Sequence, residues 1–387
     1  MYNKKTAIFF TDTYKNSVAN VIKSEFVKKN DRVGIIVAKK ELESVLAGNL
    51  ADRIVPADSS LRYKLRNITA SFINKNADKT VKKPIPIFDK TNKKEKRISN
   101  VLERYNPEVV VVTDHTLLHS LVNAVNTQGN GTKIVVAFDE FTMDKRIVNK
   151  HVDLYFVDNM EIKSALIAEG IAEDKIEIID LPVENKFFVP VEYGAAAKKL
   201  NIDTSKKTLL FSSSYIGDER FIKLIDAISQ ARFDANIVFA CGKNRKLLAL
   251  VREKNFVAYN ESLDMNLALT VADLVIMRPT TILMQEAIAK NKKVFSIFPL
   301  DKIEESNQNY LAVDKITKFA DIPSLINAIS EFLNSSVDRE EEIIVKYTID
   351  EEKDDSGYEK VIEAASSSAV DKNSVKTMVD KILELMK

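Results

Sequence analysis

Short runs of consecutive apolar residues recur along the chain, separated by stretches with helical spacing. The runs at 7–10, 109–112, 134–138 and 153–157 are apolar at nearly every position and do not alternate with polar residues. Continuous hydrophobicity of this kind is typical of strands covered on both faces, as in a parallel sheet with helices on either side. The pattern therefore predicts an α/β fold built from βαβ units.

The rhythm of strands and helices is interrupted once and then begins again. Residues 182–190 form an irregular connector with a proline at each end, and a new apolar strand follows at 208–211. A chain of 387 residues with 45% apolar residues is long enough for two cores of ordinary size. We predict an N-terminal domain over 1–185, a second domain over 186–336, and an acidic tail over 337–387 that ends in a docking helix.

Charge is balanced over the whole chain but not locally. The formal net charge is +1, from 57 basic and 56 acidic residues, which gives no reason to expect a nucleic-acid partner. Residues 61–100 hold 12 Lys or Arg against 3 Asp or Glu, with apolar residues interleaved at helical spacing. This basic segment is a candidate for adsorption to an anionic membrane surface. The alternative is a solvated excursion with no partner.

Residue usage excludes several kinds of site. A single cysteine and three histidines leave no disulfide framework and no Cys or His cluster for a metal, so we expect neither a metal nor a cofactor. No apolar run reaches the length of a membrane span. We expect a cytoplasmic protein that is either soluble or peripheral at the inner membrane face, and a homo-oligomer stays an open alternative.

Polar residues follow the strands of the second domain where each strand ends. Cys241-Gly242-Lys243-Asn244 follows the strand at 237–240, and Arg278-Pro279-Thr280-Thr281 follows the strand at 272–277. In an open parallel sheet, ligands bind beyond the carboxyl ends of the strands, where helix N-termini present unpaired N–H groups to anions. The spacing predicts a site for the pyrophosphate of a nucleotide sugar.

These motifs occur in the order found in one family of enzymes. The segments 151–157, 170–176 and 182–187, followed by the Cys-Gly-Lys-Asn turn, Ala272-Asp273, Glu286-Ala287 and Glu304-x-x-Asn307, resemble the glycosyltransferases that make monogalactosyl- and glucosyl-diacylglycerol and the peptidoglycan lipid intermediate. The resemblance covers roughly residues 105–315. It implies a GT-B architecture, in which two Rossmann-like domains face each other across a cleft and the second domain binds a UDP-sugar.

The resemblance also implies roles for individual residues. Glu286 takes the place of the acid that binds the ribose diol, Glu304 and Asn307 that of the sugar-binding pair, and Arg278 that of a phosphate-binding turn. Glu286, Arg278, Glu304 and Asn307 would then converge on one cleft beside the strand end at Ala240. The full set of predicted donor-binding residues is Ser212, Ser213, Ser214, Gly242, Lys243, Asn244, Arg278, Thr280, Thr281, Glu286, Glu304 and Asn307.

The sequence departs from the family at its glycines and its catalytic histidine. The loop after the first strand, at 11–17, has neither, and Ser212 to Ser214 and Thr280-Thr281 stand where glycines let the backbone approach phosphate closely. A base for the acceptor hydroxyl would have to come from Asp139 or His115, each of which follows a strand of the first domain. An ordinary helix cap is the alternative for each.

Three functions follow from these patterns. The leading hypothesis is transfer of a hexose from a UDP-sugar to a lipid or other membrane-associated acceptor. The second is a GT-B scaffold that has lost catalysis and serves in assembly, which the missing glycines and histidine favour. The third is a nucleotide-sugar hydrolase or epimerase on the same fold.

Overall fold

The structure of the protein, a computed structural model, describes residues 5–10, 16–29, 33–37, 90–214, 218–313, 315–335 and 370–386. Two compact units divide the chain. The N-terminal unit comprises Met1–Val183, Pro299–Tyr310 and Val370–Lys387, and the C-terminal unit comprises Glu184–Phe298 and Leu311–Ala369. The first division falls close to the predicted boundary at 185. The assignment of 299–310 to the N-terminal unit has no counterpart in the sequence-based division, and 370–387, which contains the predicted docking helix, belongs to the N-terminal unit as well.

A six-stranded parallel sheet forms the centre of the N-terminal unit. Its order is β2-β1-β3-β4-β5-β6. Parallel strands need crossover connections, which usually contain a helix; between β4 and β5 the connection holds only the short 3-10 turn Lys145–Ile147. The strands are β1 (Lys5–Phe10), β2 (Val33–Val37), β3 (Val109–Val112), β4 (Lys133–Ala137), β5 (Leu154–Val157) and β6 (Ile176–Ile178). The helices are α1 (Asn16–Lys29), α2 (Lys90–Tyr105), α3 (Leu118–Gln128) and α4 (Met160–Ala168).

The apolar runs become the interior of this sheet. All four residues of β3 and of β5 are buried, because helices cover both of their faces. The chain returns to this unit with the helix α12 (Ser374–Leu385), which packs on α1 and buries Val375, Val379 and Ile382. Lys381 Nζ is 2.7 Å from Glu177 Oε1, so the helix is also tied to β6.

The C-terminal unit has a second six-stranded parallel sheet, in the order β12-β11-β10-β7-β8-β9. The strands are β7 (Thr208–Ser212), β8 (Asn236–Ala240), β9 (Val257–Tyr259), β10 (Leu274–Met277), β11 (Val294–Ser296) and β12 (Thr317–Lys318). The helices of this unit are α5 (Tyr193–Lys199), α6 (Phe221–Ala231), α7 (Arg245–Glu253), α8 (Met265–Val271), α9 (Thr281–Ala289) and α11 (Ile322–Asn334). The helix α10 (Lys302–Leu311) follows β11 in the chain but belongs, up to Tyr310, to the N-terminal unit. Stacked rings of Phe211 and Phe239 lie in the core between sheet and helices.

Candidate functional site

Three neighbouring strands of the C-terminal unit end at one edge of its sheet. The order β10-β7-β8 places the loops after Met277, Ser212 and Ala240 side by side. The backbone N–H and the hydroxyl of Ser213 both donate to the carbonyl of Ala240, at 3.2 and 3.1 Å. The three predicted donor-binding loops therefore lie together at the carboxyl edge of one sheet, where open α/β sheets bind ligands.

Two of the helices that begin at this edge, α7 and α9, differ in how the N–H groups of their first turns are satisfied. Asn244 caps α7, because its Oδ1 accepts a hydrogen bond of 3.0 Å from Leu247 N. Thr280 precedes α9, and its side chain makes no capping hydrogen bond. A helix N-terminus without a side-chain cap presents N–H donors and the positive end of its dipole to an anion. The side chain of Asn244, one of the predicted donor-binding residues, thus caps its own helix. The first turn of α9, which has no side-chain cap, lies at this edge of the sheet.

The serine loop adopts the backbone shape that glycine would favour. Ser214 has a φ of 63°, in the left-handed region that non-glycine residues rarely occupy. Thr280, in contrast, has an ordinary extended backbone with φ −86° and ψ 125°, and Thr281 begins α9. The replacement of glycine by threonine therefore costs no backbone strain at Thr280, and the loop after β7 keeps a glycine-like bend despite its serine. Gly242 also takes a left-handed φ, of 55°, ahead of the exposed Lys243.

Arg278 lies in a cluster with two charged residues that the sequence analysis did not single out. Its side chain is 5% exposed, and its Nη1 is 3.9 Å from Asp218 Oδ2. The same carboxylate accepts hydrogen bonds from Arg220 Nε at 2.9 and 3.0 Å. Arg220 also donates to the carbonyl of Phe298 at 2.7 Å and lies over its ring. Two guanidinium groups thus share the carboxylate of Asp218 near the carboxyl end of β10.

Glu286 is a partly buried acid in the helix α9. Burial, and to a lesser extent the negative charge of Glu184, raise the pKa of Glu286 to about 8, while Lys186 opposes the rise. At neutral pH the carboxyl is therefore largely protonated and can donate as well as accept a hydrogen bond. Such a group suits a neutral hydroxyl pair better than it suits a cation.

The N-terminal unit places the two candidate bases at the ends of adjacent strands. His115 follows β3 and Asp139 follows β4, and both are buried. His115 Nε2 is 3.4 Å from Asp144 Oδ2, and Asp144 is also bound by the guanidinium of Arg146. Burial alone would raise the pKa of Asp144, but the hydrogen bonds from Arg146 and the charge of His115 outweigh it and lower the pKa. Asp144 is thus an anion beside the imidazole of His115.

Glu304 and Asn307 belong to the N-terminal unit, whereas the other predicted donor residues belong to the C-terminal unit. Glu304 Oε2 accepts a hydrogen bond of 2.7 Å from Leu300 N, and Asp301 Oδ1 caps the same helix by accepting from Glu304 N at 3.0 Å. Asn307 is buried against residues 140–142. Since Arg278 and Glu286 belong to the C-terminal unit, convergence of these four residues stays a prediction.

The residues that sequence reasoning missed share a short local signal. Asp218-x-Arg220 and Asp144-x-Arg146 both place an aspartate two residues before an arginine, and in both the carboxylate accepts from the arginine backbone N–H at 2.9 Å. Aspartate commonly makes this turn. The pattern Asp-x-Arg after a strand end was therefore readable from the sequence.

Other kinds of chemistry find little support among the described residues. Burial raises the pKa of the Cys241 thiol to about 12, which makes it a poor nucleophile. No group of three or more His, Cys, Asp or Glu side chains in the described ranges is placed to hold a metal ion. In the same ranges, no helix has the length and hydropathy needed to cross a bilayer.

Comparison with solved structures defines the class of fold. The chain is similar to MurG of Acinetobacter baumannii, with a TM-score of 0.58 and 12% identity, covering 98% of this chain and 99% of that one. It is also similar to the Staphylococcus aureus MnaA–UDP structure, with a TM-score of 0.60 and 14% identity over 98% and 97% of the two chains. These likenesses and the two parallel sheets confirm the predicted two-domain α/β GT-B fold.

Comparison of sequences gives the family resemblance. Residues 12–183 match the family model described as monogalactosyldiacylglycerol (MGDG) synthase. The processive diacylglycerol beta-glucosyltransferase of Staphylococcus carnosus is 23% identical over 232 residues, which are 58% of this chain and 59% of that protein. The enzyme of the same name from Staphylococcus aureus strain Newman is 25% identical over 267 residues, 65% and 67% of the two chains. The chain thus matches about three fifths to two thirds of their length, and the resemblance drawn from the motifs is confirmed.

Proposed function

We propose that the protein transfers a hexose from a UDP-sugar to a lipid acceptor. The observation that carries the proposal is the meeting of three polar loops at the β10-β7-β8 edge, together with the family match over the other half of the chain. A nucleotide diphosphate fits that edge because it needs cationic side chains and helix N-terminal N–H groups at once. The names of the matched relatives supply diacylglycerol as the first acceptor to test.

Each part of the reaction has a candidate residue. Arg278, the serine loop and the start of α9 would hold the diphosphate and stabilise its charge as the sugar–phosphate bond breaks. Glu286 would bind the ribose hydroxyls. Asp139 or His115 would take the proton of the acceptor hydroxyl as it attacks the anomeric carbon. The proposal needs no cofactor and assigns charge stabilisation to side chains, so we expect EDTA to leave transfer unchanged.

Calorimetric titration with UDP and several UDP-sugars tests donor binding. We expect Arg278→Ala to weaken UDP binding by about 1.5–3 kcal/mol, or roughly 10- to 150-fold, because a hydrogen bond to a charged group is lost. Arg252→Ala is the matched control, since Arg252 is exposed in the last turn of α7. A wild type that gives no heat with any of these nucleotides would contradict the proposal.

Transfer of labelled sugar to diacylglycerol in mixed micelles tests the reaction itself. We expect Asp139→Asn or His115→Gln to lower kcat by 100-fold or more if that residue is the base, with little change in donor affinity. Analysis of the nucleotide and sugar products separates transfer from the hydrolase or epimerase alternative. Release of free sugar or of an epimerised UDP-sugar without lipid acceptor would favour the latter.

A scaffold without catalysis is the second candidate function. It is favoured by the absence of the family histidine and by Asp218, which already lies beside Arg278 at the place proposed for phosphate. A protein that binds neither UDP nor UDP-sugars would support it. Peripheral attachment to an anionic inner membrane face through residues 61–100, and a homo-oligomeric state, are parts of the proposal that need separate tests.

A further inference from the structure

A loop that follows β4 is held by side chains from distant parts of the N-terminal unit. We call residues 138–142 the β4 loop. Phe141 N donates to Asn307 Oδ1 at 3.0 Å, and Phe141 O accepts from Asn159 Nδ2 at 2.8 Å. The two asparagines are 166 and 18 residues away in sequence. Both backbone polar groups of Phe141 are thus fixed by buried side-chain amides.

Asn307 makes most of these contacts. Its Nδ2 donates to the buried carboxylate of Glu140 at 2.6 Å, and its Oδ1 also lies 3.4 Å from the Thr142 hydroxyl. One turn further along α10, the Tyr310 ring stacks on Phe141 with centroids 5.8 Å apart. A short hydrogen bond from an amide to a buried carboxylate is stronger than one between neutral groups.

These contacts nearly exhaust what an asparagine side chain can offer. An amide has two donor hydrogens and two acceptor lone pairs, and Asn307 uses at least one donor and both acceptor directions within the protein. The residue is also 0% exposed. A sugar hydroxyl could donate to Asn307 only after the Phe141 or Thr142 bond had been broken, which would leave a buried polar group unsatisfied. Full burial of the side chain also keeps its second Nδ2 hydrogen away from solvent.

We propose that Asn307 is a positioning residue, which holds the β4 loop and through it the candidate base Asp139, and that it is not a ligand of the donor sugar. The inference rests on the proposed function. It assigns Asn307 a different role from the one that the family resemblance implies. Asp139 lies two residues before Phe141, so the two asparagines restrict where its carboxylate can be. A shift of about 1 Å in a reacting group can lower a rate by roughly 100-fold.

An exchange of charge between Asn307 and Glu140 tests the contact directly. Asn307→Asp alone places two carboxylates against each other, which should loosen the loop. In the double variant that adds Glu140→Gln to Asn307→Asp, the new amide can donate to the new carboxylate. The contact is then restored with the donor and the acceptor exchanged. We expect kcat to fall roughly 10- to 100-fold in the single variant and to recover most of that loss in the double variant. Asn309→Ala, an exposed position on the same helix, is the control.

Two further measurements separate positioning from sugar binding. The Kd for the UDP-sugar, relative to that for UDP, should be unchanged in Asn307→Asp, and hydrogen exchange at the Phe141 N–H should speed up at least 10-fold and slow again in the double variant. A loss of affinity specific to the UDP-sugar that Glu140→Gln does not restore would overturn the inference, as would unchanged exchange at Phe141. If the wild type binds no UDP-sugar, the proposed function and the catalytic role of Asn307 both fail, while the exchange data still decide whether Asn307 holds the loop.

Discussion

At the scale of single residues, burial changes what a predicted side chain can do. The sequence indicated that Glu286 is an acid on a helix that faces a nucleotide. It did not show how far the side chain is removed from solvent. Once α9 packs in the C-terminal unit, desolvation makes the carboxyl prefer its neutral form. The same holds for the neutral side chain of Asn307. Most of the hydrogen-bonding capacity of its amide is taken by residues 165 to 167 positions away in the sequence.

The raised pKa of Glu286 makes stability depend on pH. The folded protein keeps this carboxyl protonated up to about pH 8, whereas an unfolded chain releases the proton near the usual value of 4.5. The folded state binds more protons across that window, so its stability falls as pH rises from 4.5 to 8. We expect Glu286→Gln to remove the loss, which is at most about 1.4 kcal/mol per pH unit.

Urea unfolding at pH 5 and pH 8 measures this effect. The stability gained by Glu286→Gln over the wild type should be larger at pH 8 than at pH 5. Glu331→Gln, at an exposed position of α11, should give the same difference at both. An equal effect of Glu286→Gln at the two pH values would contradict the assigned burial.

At the scale of helices and strands, prediction succeeded where the residues of a single element were enough to identify it. β3 is a run of four valines with both faces covered, and β4 and β10 have the same continuous hydrophobicity, so each was recognisable from its own residues. The helix α12 was recognisable from its apolar stripe. The position of Arg278 beside Asp218 and the attachment of 299–310 to the N-terminal unit were not recognisable, because both depend on contacts between segments that are distant in sequence.

The helix α12 should contribute measurably to the stability of the N-terminal unit. Ile382 is fully buried where α12 packs on α1. Truncation to alanine removes apolar contacts and leaves a cavity, so we expect Ile382→Ala to cost about 2–5 kcal/mol. Thermal unfolding by calorimetry measures the change, and Glu384→Ala on the exposed face is the control. A cost below about 0.5 kcal/mol would show that the helix is dispensable.

At the scale of the whole molecule, near-neutral net charge conceals an uneven distribution. Residues 61–100 carry the basic excess and 337–387 the acidic one. Of these, 61–89 and 337–369 lie outside the described residues, while 90–100 form the first part of α2, whose Ile98 is buried. The membrane role of the basic segment therefore stays a prediction from sequence.

Vesicle binding tests the basic segment in the full-length protein. If it adsorbs to a membrane, vesicles with anionic lipid should bind the protein more tightly than neutral vesicles, by about 1 kcal/mol for each basic residue near the surface. Raising the salt to about 1 M should release it, because the Debye length falls to roughly 3 Å. Charge reversal at Lys82 and Lys83 should weaken binding, and the same change at Lys198 and Lys199 on α5 should not. Equal affinity for neutral and anionic vesicles would leave the segment without a membrane role.

The N-terminal unit is assembled from three separate pieces of chain, and this has a consequence during synthesis. Residues 184–298 and 311–335 emerge from the ribosome before α12, so the C-terminal unit has its sheet complete while α1 still lacks the helix that covers it. The N-terminal unit, whose first residues are translated first, is therefore the last of the two units to be completed. Until residues 370–386 are synthesised, the apolar surface that Val379 and Ile382 will cover stays accessible to chaperones and to other nascent chains. Ribosomes stalled before that point should therefore carry a C-terminal unit that resists protease and an N-terminal unit that does not.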